Sequence, residues 1–194
     1  KLELLLPAAR GHALEPWAAY WELKLRLADA SPQEVQAFLQ QYAGTYQEDR
    51  LRNDWLLLLG QRRDWARFAE QHPAYRMSDD REVRCYALLI DHIKGTAPAT
   101  VADDVRSNWY AIRDADDGCN HAAGELYSAK KLSALDIWRK ARLGVEANRP
   151  RVVRSAVEIV SPESLPQLKD VLDAPSKYLL SRATAAGKAR QELI

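Results

Sequence analysis

The segment 51–72, LRNDWLLLLGQRRDWARFAEQH, constrains the possible folds of this chain more than any other stretch. Two apolar stripes at helical spacing flank Gly60. Each half is too short to be stable alone and buries only one face, so each needs packing neighbours. A helix, a glycine-containing turn and a second helix form the repeating unit of an α-solenoid. We therefore predict a scaffold of helix pairs, hinged here at Gly60. The stripe residues are Leu51, Trp55, Leu58 and Leu59 before the hinge and Trp65, Phe68 and Ala69 after it.

The rest of the chain repeats this organisation without a strict sequence repeat. Turn residues separate short stretches of helical spacing, and no stretch shows the alternation or hairpin chemistry of strands. Ser31-Pro32-Gln33-Glu34 has the pattern of a capping box with proline in the first helical turn, and Gly44 marks the end of that helix. We predict an all-α chain of about ten or eleven short helices. Antiparallel helix pairs of this kind pack, like tetratricopeptide repeats, into a right-handed superhelix (an α-solenoid).

Composition and charge exclude some classes of function. The 194 residues are 47% hydrophobic and carry a net charge of +1, which argues against a nucleic-acid-binding surface. No apolar run approaches the roughly 20 residues that a membrane span requires. The chain opens KLELLLPAAR, without an initiator methionine, and ends at Leu193-Ile194 without a capping or polar tail. We interpret both ends as cuts within a longer protein.

Four residues have the chemistry of zinc ligands: Cys85, His92, Cys119 and His121. On one helix, Cys85 and His92 would lie two turns apart, roughly 10 Å along the axis. Ligands of one zinc ion lie within about 4 Å of each other. We therefore predict no metal site here. As a pair, Cys85 and Cys119 leave two interpretations open, namely two buried thiols or a disulfide.

Acidic residues cluster at three predicted helix starts. Asp114, Asp116 and Asp117 resemble part of a calcium loop but lack its alternating ligands and terminal glutamate. We interpret them as a solvated turn that caps the following helix. We interpret the pairs Asp79-Asp80 and Asp103-Asp104 as caps too, because carboxylates are stabilised at helix N-termini.

The sequence contains no motif of nucleophilic or nucleotide-dependent catalysis. It has no Gly-x-Ser-x-Gly elbow and no glycine-rich phosphate loop. Most tryptophans lie on apolar helical stripes, so we expect each to be part of the core rather than a stacking platform for bases or sugars. We predict no cofactor.

Eight short segments, in this order and spacing, carry a resemblance to a known family. They are GHALEPW at 11–17, YWEL at 20–23, LRNDWL at 51–56, RDW at 63–65, CYA at 85–87, DGC at 117–119, WRKAR at 138–142 and EANR at 146–149. Together they resemble the N-terminal superhelical region of soluble lytic murein transglycosylases (Slt-type). The resemblance covers most of residues 11–160, and its motifs are packing patterns rather than catalytic ones.

The resemblance implies a periplasmic enzyme of a Gram-negative bacterium that acts on peptidoglycan glycan strands. Such enzymes cut between N-acetylmuramic acid and N-acetylglucosamine and form a 1,6-anhydro sugar. One glutamate serves first as general acid and then as general base. Their catalytic domain is C-terminal and lysozyme-like, and the superhelical region forms much of the ring on which it sits. The implied partners are glycan strands and that catalytic domain.

The catalytic glutamate of the family lies in a Glu-Ser dipeptide followed by Gly-Leu-Met-Gln and Ala-Tyr-Asn segments. This chain contains Glu163-Ser164, but its single methionine, Met77, lies upstream. Since Glu163 also follows Ser161-Pro162, a helix-start context, we interpret it as a capping residue. We therefore predict no catalytic residue within residues 1–194 and a catalytic domain outside them.

A periplasmic location would favour oxidation of the two cysteines. The resemblance thus changes the expectation to a disulfide between Cys85 and Cys119. In the chain-entropy model, closing a loop of about 35 residues contributes roughly 3–4 kcal/mol to stability.

The sequence accordingly predicts a non-catalytic ring domain of a lytic transglycosylase, spanning residues 1–194. It shapes the ring, positions the catalytic domain and guides glycan strands. The alternative is a tetratricopeptide-like adaptor that binds a peptide or protein partner in its concave groove.

Overall fold

The computed structural model describes residues 6–182, and all regular elements within that range are helical. The all-α prediction is confirmed, and the helix count within these residues agrees with the predicted number. Three 3₁₀ turns, Leu6–Ala9, His72–Ala74 and Pro162–Ser164, accompany the α-helices. The helices are α1 (Glu15–Leu25), α2 (Pro32–Gln41), α3 (Tyr46–Gln61), α4 (Trp65–Gln71), α5 (Arg81–Lys94), α6 (Val101–Ala111), α7 (Asp117–Ser128), α8 (Ala134–Glu146), α9 (Pro150–Val160), α10 (Leu165–Asp173) and α11 (Pro175–Arg182).

The described residues form two compact units, which divide within α5 between Val83 and Arg84. In the first unit (6–83), α3 is the central helix and packs against α1, α2 and α4. In the second unit (84–182), α8 and α9 form the most extensive helix pair, and α7 and α10 pack against α9. Neighbouring helices in the chain therefore bury their apolar stripes against each other, as the short connections require. The superhelical arrangement of these pairs stays a prediction.

The predicted hinge at Gly60 is wrong, because α3 continues through Gly60 to Gln61 and buries that glycine. The chain reverses instead at Arg63, whose φ of 59° is left-handed. The Arg63 N–H donates to the Gly60 carbonyl and the Asp64 N–H to the Leu59 carbonyl, each at 3.0 Å. This is a Schellman motif, which satisfies the last helical carbonyls without requiring glycine. Gly60 therefore lies in the last turn of α3, before the residue that reverses the chain.

The capping box predicted at the start of α2 is confirmed. The Glu34 N–H donates to Ser31 Oγ at 3.2 Å, and the Ser31 N–H donates to the Glu34 carboxylate at 2.8 Å. These hydrogen bonds hold the pKa of Glu34 at about 2, with a further contribution from Arg26. Gly44, at a φ of 83°, lies in the turn after α2.

Burial divides the six tryptophans into three groups, and Trp65 alone has intermediate burial. Trp55, Trp109 and Trp138 lie in the core, as predicted. The prediction is wrong for Trp17 and Trp21, which are 37% and 48% exposed. The reason is that α1 buries only a narrow stripe, formed by Ala19, Tyr20 and Leu23. Its apolar residues extend around the helix beyond that stripe.

The α8–α9 pair depends on a close approach at Gly144. A Cβ atom on Gly144 would lie 2.9 Å from Val153 Cγ2 and 3.0 Å from the Val153 backbone nitrogen. Only glycine allows α9 to approach α8 this closely. Gly124 in α7 is different, because its Cβ would meet only Ile159 Cγ1, at 3.9 Å.

Candidate functional site

The two cysteines are joined in a disulfide within the second unit. Cys85 of α5 and Cys119 of α7 are fully buried, with their Cα atoms 4.9 Å apart and their positions separated by 34 in sequence. Both sulfurs are therefore unavailable as thiolate ligands. No group of three or more His, Cys, Asp or Glu side chains within residues 6–182 has the arrangement of a metal site.

Glu163 occupies an exposed 3₁₀ turn that precedes α10. Its carboxylate accepts a hydrogen bond from Ser161 Oγ at 2.6 Å, and Ser161 and Ser164 share a second one at 2.8 Å. The Ser161 hydroxyl holds the pKa of Glu163 below its ordinary value. A general acid of glycoside cleavage needs the opposite, a pKa raised by an apolar environment. Glu163 is therefore held by a neighbouring serine and lacks the environment of such an acid.

Asp114, Asp116 and Asp117 each contact another group of this chain. Asp116 caps α7 by accepting the Cys119 N–H at 2.6 Å. Asp117 accepts the Tyr86 hydroxyl at 2.6 Å, and Asp114 pairs with Arg149 at 2.8 Å. The three carboxylates point to three different partners, an arrangement that serves capping and packing.

In the first unit, the polar residues of the LRND segment serve structure. Arg52 is buried and donates to the Glu48 carboxylate at 2.6 Å and to the Gln71 amide oxygen at 2.8 Å. Burial raises the pKa of Glu48. The Arg52 hydrogen bond, the Gly44 N–H and nearby Arg76 lower this pKa by more than burial raises it, so the carboxylate is ionised. The ion pair spans one turn of α3, and the Arg52–Gln71 hydrogen bond ties α3 to the end of α4.

The same side of α3 fixes the segment that leads into α5. The Asp49 carboxylate accepts the backbone N–H groups of Arg76 at 2.9 Å and of Met77 at 2.7 Å. Asn53 donates to Asp80 at 3.2 Å, and Asp80 in turn caps the start of α5. The predicted capping role of Asp80 is confirmed.

Four aromatic side chains form a surface that the sequence did not reveal. The aromatic surface consists of Trp17, Tyr20 and Trp21 on α1 and Tyr46 at the start of α3. Ring centroids lie 5.6 Å apart for Trp17–Tyr46, 6.0 Å for Trp17–Tyr20 and 5.0 Å for Tyr20–Trp21. Tyr20 is 2% exposed, whereas Tyr46 is 54% exposed, and both tryptophans also face solvent. The Trp-x-x-x-Trp spacing was the available signal, but spacing alone does not say how wide the packed face of α1 is.

Charged side chains border this surface. The Tyr20 hydroxyl donates to Asp54 at 2.8 Å, and Lys24 Nζ donates to Tyr20 at 3.0 Å and to Asp54 at 3.1 Å. Lys24 Nζ lies 5.6 Å from the centroid of the Trp21 ring, a cation–π distance. Burial lowers the pKa of Lys24, but the hydrogen bonds that Lys24 donates to Tyr20 and Asp54 outweigh burial and raise it overall. Burial lowers the pKa of Arg50, but nearby Tyr20 and Asp54 raise it overall.

Comparison with known proteins identifies the fold. No protein-family model matches the chain, and no curated protein matches it in sequence. An X-ray structure of an inactive mutant of lytic transglycosylase Slt from Pseudomonas aeruginosa matches 98% of this chain, with 23% identity and a TM-score of 0.55. The 70-kDa soluble lytic transglycosylase, in its complex with bulgecin A, matches 99% of this chain, with 15% identity and a TM-score of 0.60.

These matches confirm the resemblance to Slt-type lytic transglycosylases at the level of the fold. The chain spans 31% of the length of each matched protein. Within residues 6–182, no helix is both long and apolar enough to cross a membrane. The chain shares the helical fold of one part of these larger proteins.

Proposed function

We propose that this chain is a non-catalytic helical domain of a peptidoglycan lytic transglycosylase. One observation carries the proposal: the matched fold covers nearly all of this chain but only 31% of each lytic transglycosylase. The domain shapes the ring of the parent enzyme and positions a lysozyme-like catalytic domain that lies outside these 194 residues. Its partners are that catalytic domain and the glycan strands on which the parent acts.

Two features of the chain support this assignment. The buried Cys85–Cys119 disulfide suits a protein that folds in an oxidising compartment, and for such an enzyme we infer the periplasm. The exposed position of Glu163 and its lowered pKa, caused by the Ser161 hydroxyl, do not suit the general acid of the family. The chemistry of cleavage is therefore assigned to the parent enzyme and not to this chain.

The adaptor alternative is favoured by a different observation, an apolar groove in the second unit. Trp138, Val145 and Val153 line one side of the groove, and Leu168 and Tyr178 line the other. A groove of this kind could hold the apolar face of a helical peptide. The alternative predicts a parent protein without a transglycosylase domain.

The parent reading frame and the activity of its product test the proposal. We expect residue 194 to be followed by a lysozyme-like domain with Glu-Ser and Gly-Leu-Met-Gln segments. The full-length protein should release 1,6-anhydromuramoyl products from purified peptidoglycan, and the 194-residue chain should release none. A reading frame without such a domain, or turnover by the 194-residue chain alone, would contradict the proposal.

A further inference from the structure

We propose that the aromatic surface of the first unit binds the amino-sugar rings of a peptidoglycan glycan strand. This inference rests on the proposed function, because it names the surface through which the domain contacts the substrate of the parent enzyme. It assigns the proposed contact with glycan strands to named residues.

The exposed rings have the chemistry that recognises a pyranose. A pyranose with equatorial substituents presents C–H groups on its two faces and polar groups around its edge. The faces of Trp and Tyr rings carry negative charge density, so they attract such C–H faces, while the rest of the ring buries apolar area. Trp17 and Tyr46 are 5.6 Å apart with planes inclined by 41°, and Trp21 continues the array beyond Tyr20. The surface thus offers several adjacent stacking positions instead of one pocket.

The rings are held in place before any ligand binds. Tyr20 is buried between the two tryptophans along the helix, and its hydroxyl is fixed by Asp54 and Lys24. Trp17 packs edge-on against Tyr20 and also contacts Tyr46 of α3. Preorganised aromatic side chains lose little conformational entropy on binding. A weak stacking contact can therefore contribute to affinity at this surface.

The charges that border the aromatic surface distinguish between two kinds of polymer that stack on aromatic side chains, glycans and nucleic acids. Lys24 and Arg50 supply two positive charges beside the single carboxylate of Asp54. This small positive excess complements a glycan strand, in which muramic acid units carry carboxyl-bearing substituents. Nucleic-acid grooves instead need an extended cationic track, and the chain as a whole has a net charge of only +1. The charge balance favours the glycan over a nucleic acid.

Binding by the 194-residue chain and its variants tests the inference. The wild type should co-sediment with purified peptidoglycan sacculi, and an N-acetylglucosamine tetramer should shift its tryptophan fluorescence. The double substitution Trp17→Ala with Trp21→Ala should weaken both interactions roughly tenfold or more, since each lost stacking contact accounts for about a few-fold in affinity. Tyr46→Ala, on the other helix, should weaken them about threefold. The single substitution Trp21→Phe should keep most of the wild-type affinity.

Leu25→Ala is the matched control, because Leu25 is 77% exposed on the same helix but is not part of the aromatic surface. Its affinity should stay within about twofold of wild type. Equal binding by the double variant and the wild type would overturn the inference, as would a wild type that binds no sacculi or binds single-stranded DNA in preference. A wild-type dimer that the double variant abolishes would also overturn it in favour of self-association. These outcomes leave the proposed function intact, because that proposal depends on product release by the full-length enzyme.

Discussion

In the first unit, α3 carries three buried charged side chains, Glu48, Asp49 and Arg52, whereas Lys140 is the one buried charge among the described residues of the second unit. The charges of the first unit bond to each other and to the backbone of the segment that precedes α5. Such networks cost desolvation energy, but they tolerate few alternative partners. We infer that the first unit fixes the placement of its connecting segment through specific polar pairs.

The second unit fixes its helices in another way. A disulfide joins α5 and α7, and glycine at 144 lets α9 approach α8 within van der Waals contact of backbone atoms. Neither device depends on charge, and neither loses strength with salt. The comparison teaches that one chain can stabilise similar helix pairs by polar specificity in one region and by covalent and steric constraint in the other. Each device predicts a different response to substitution.

Removing the disulfide should have the largest effect. Replacing Cys85 and Cys119 by alanine should lower the free energy of unfolding of the second unit by roughly 3–4 kcal/mol, because the unfolded chain regains the entropy of a loop closed over 34 residues. Amide hydrogen exchange should show protection lost in α6–α8 before α1–α4. Reduction of the wild type should reproduce this pattern, and an unchanged exchange profile would refute the assigned role.

Removing the Asp49 carboxylate tests the polar network of the first unit. Asp49→Ala removes two part-buried hydrogen bonds in which the N–H groups of Arg76 and Met77 donate to a carboxylate, at a cost of about 3 kcal/mol. Chemical denaturation with exchange detected in α3 and α4 measures the loss. Asp29→Ala, at an exposed position of the same unit, should cost less than about 0.5 kcal/mol. A similar, small effect of both substitutions would show that the network does not stabilise this region.

The Asp49 contacts also show where prediction from sequence reaches its limit. Hydrogen bonds within one helical turn were predictable, as at Ser31 and Glu34, because the partners are three residues apart. Asp49 binds backbone groups 27 and 28 residues away, and no local pattern indicates such a partner. The sequence prediction placed the chain reversal after α3 at the wrong residue for a related reason. Glycine at 60 suggested a turn, but α3 continues through it and the left-handed residue is Arg63.

The candidate site was less predictable than the fold. Helical spacing identified Trp17 and Trp21 as apolar positions, but their exposure depends on which helices pack against α1. The pairing of Cys85 with Cys119 came from a family resemblance, since spacing left two buried thiols equally open. Local rules therefore established helices and caps, while surfaces and cross-links depend on contacts distant in sequence.

Adding one methyl group at Gly144 tests the close approach of α8 and α9. Gly144→Ala should destabilise the second unit by about 1–2 kcal/mol, because the strain of overpacking exceeds the gain in helix propensity. The matched control is Gly124→Ala in α7, where the new methyl group has room. That substitution should stabilise the unit by about 0.5–1 kcal/mol. Thermal unfolding of both variants measures the difference, and shifts of the same sign would contradict the steric argument.

The lone buried charge of the second unit should make its stability depend on pH, and this is the smallest expected effect. Lys140 Nζ donates to the carbonyl oxygens of Trp109 and Ile112, and no carboxylate of residues 6–182 bonds to it directly. Burial lowers the pKa of Lys140 from 10.5 to about 8, and Asp116 offsets little of this shift. Between these values the unfolded chain binds the proton and the folded chain does not, so stability rises with pH.

From pH 8 to pH 9 the gain in stability should be about 1 kcal/mol. Lys140→Met should remove this gain, whereas Lys130→Met at an exposed position should keep it. Denaturant titrations of the three proteins at both pH values provide the measurement, and an equal rise in the Lys140→Met variant would assign the pH dependence to another group.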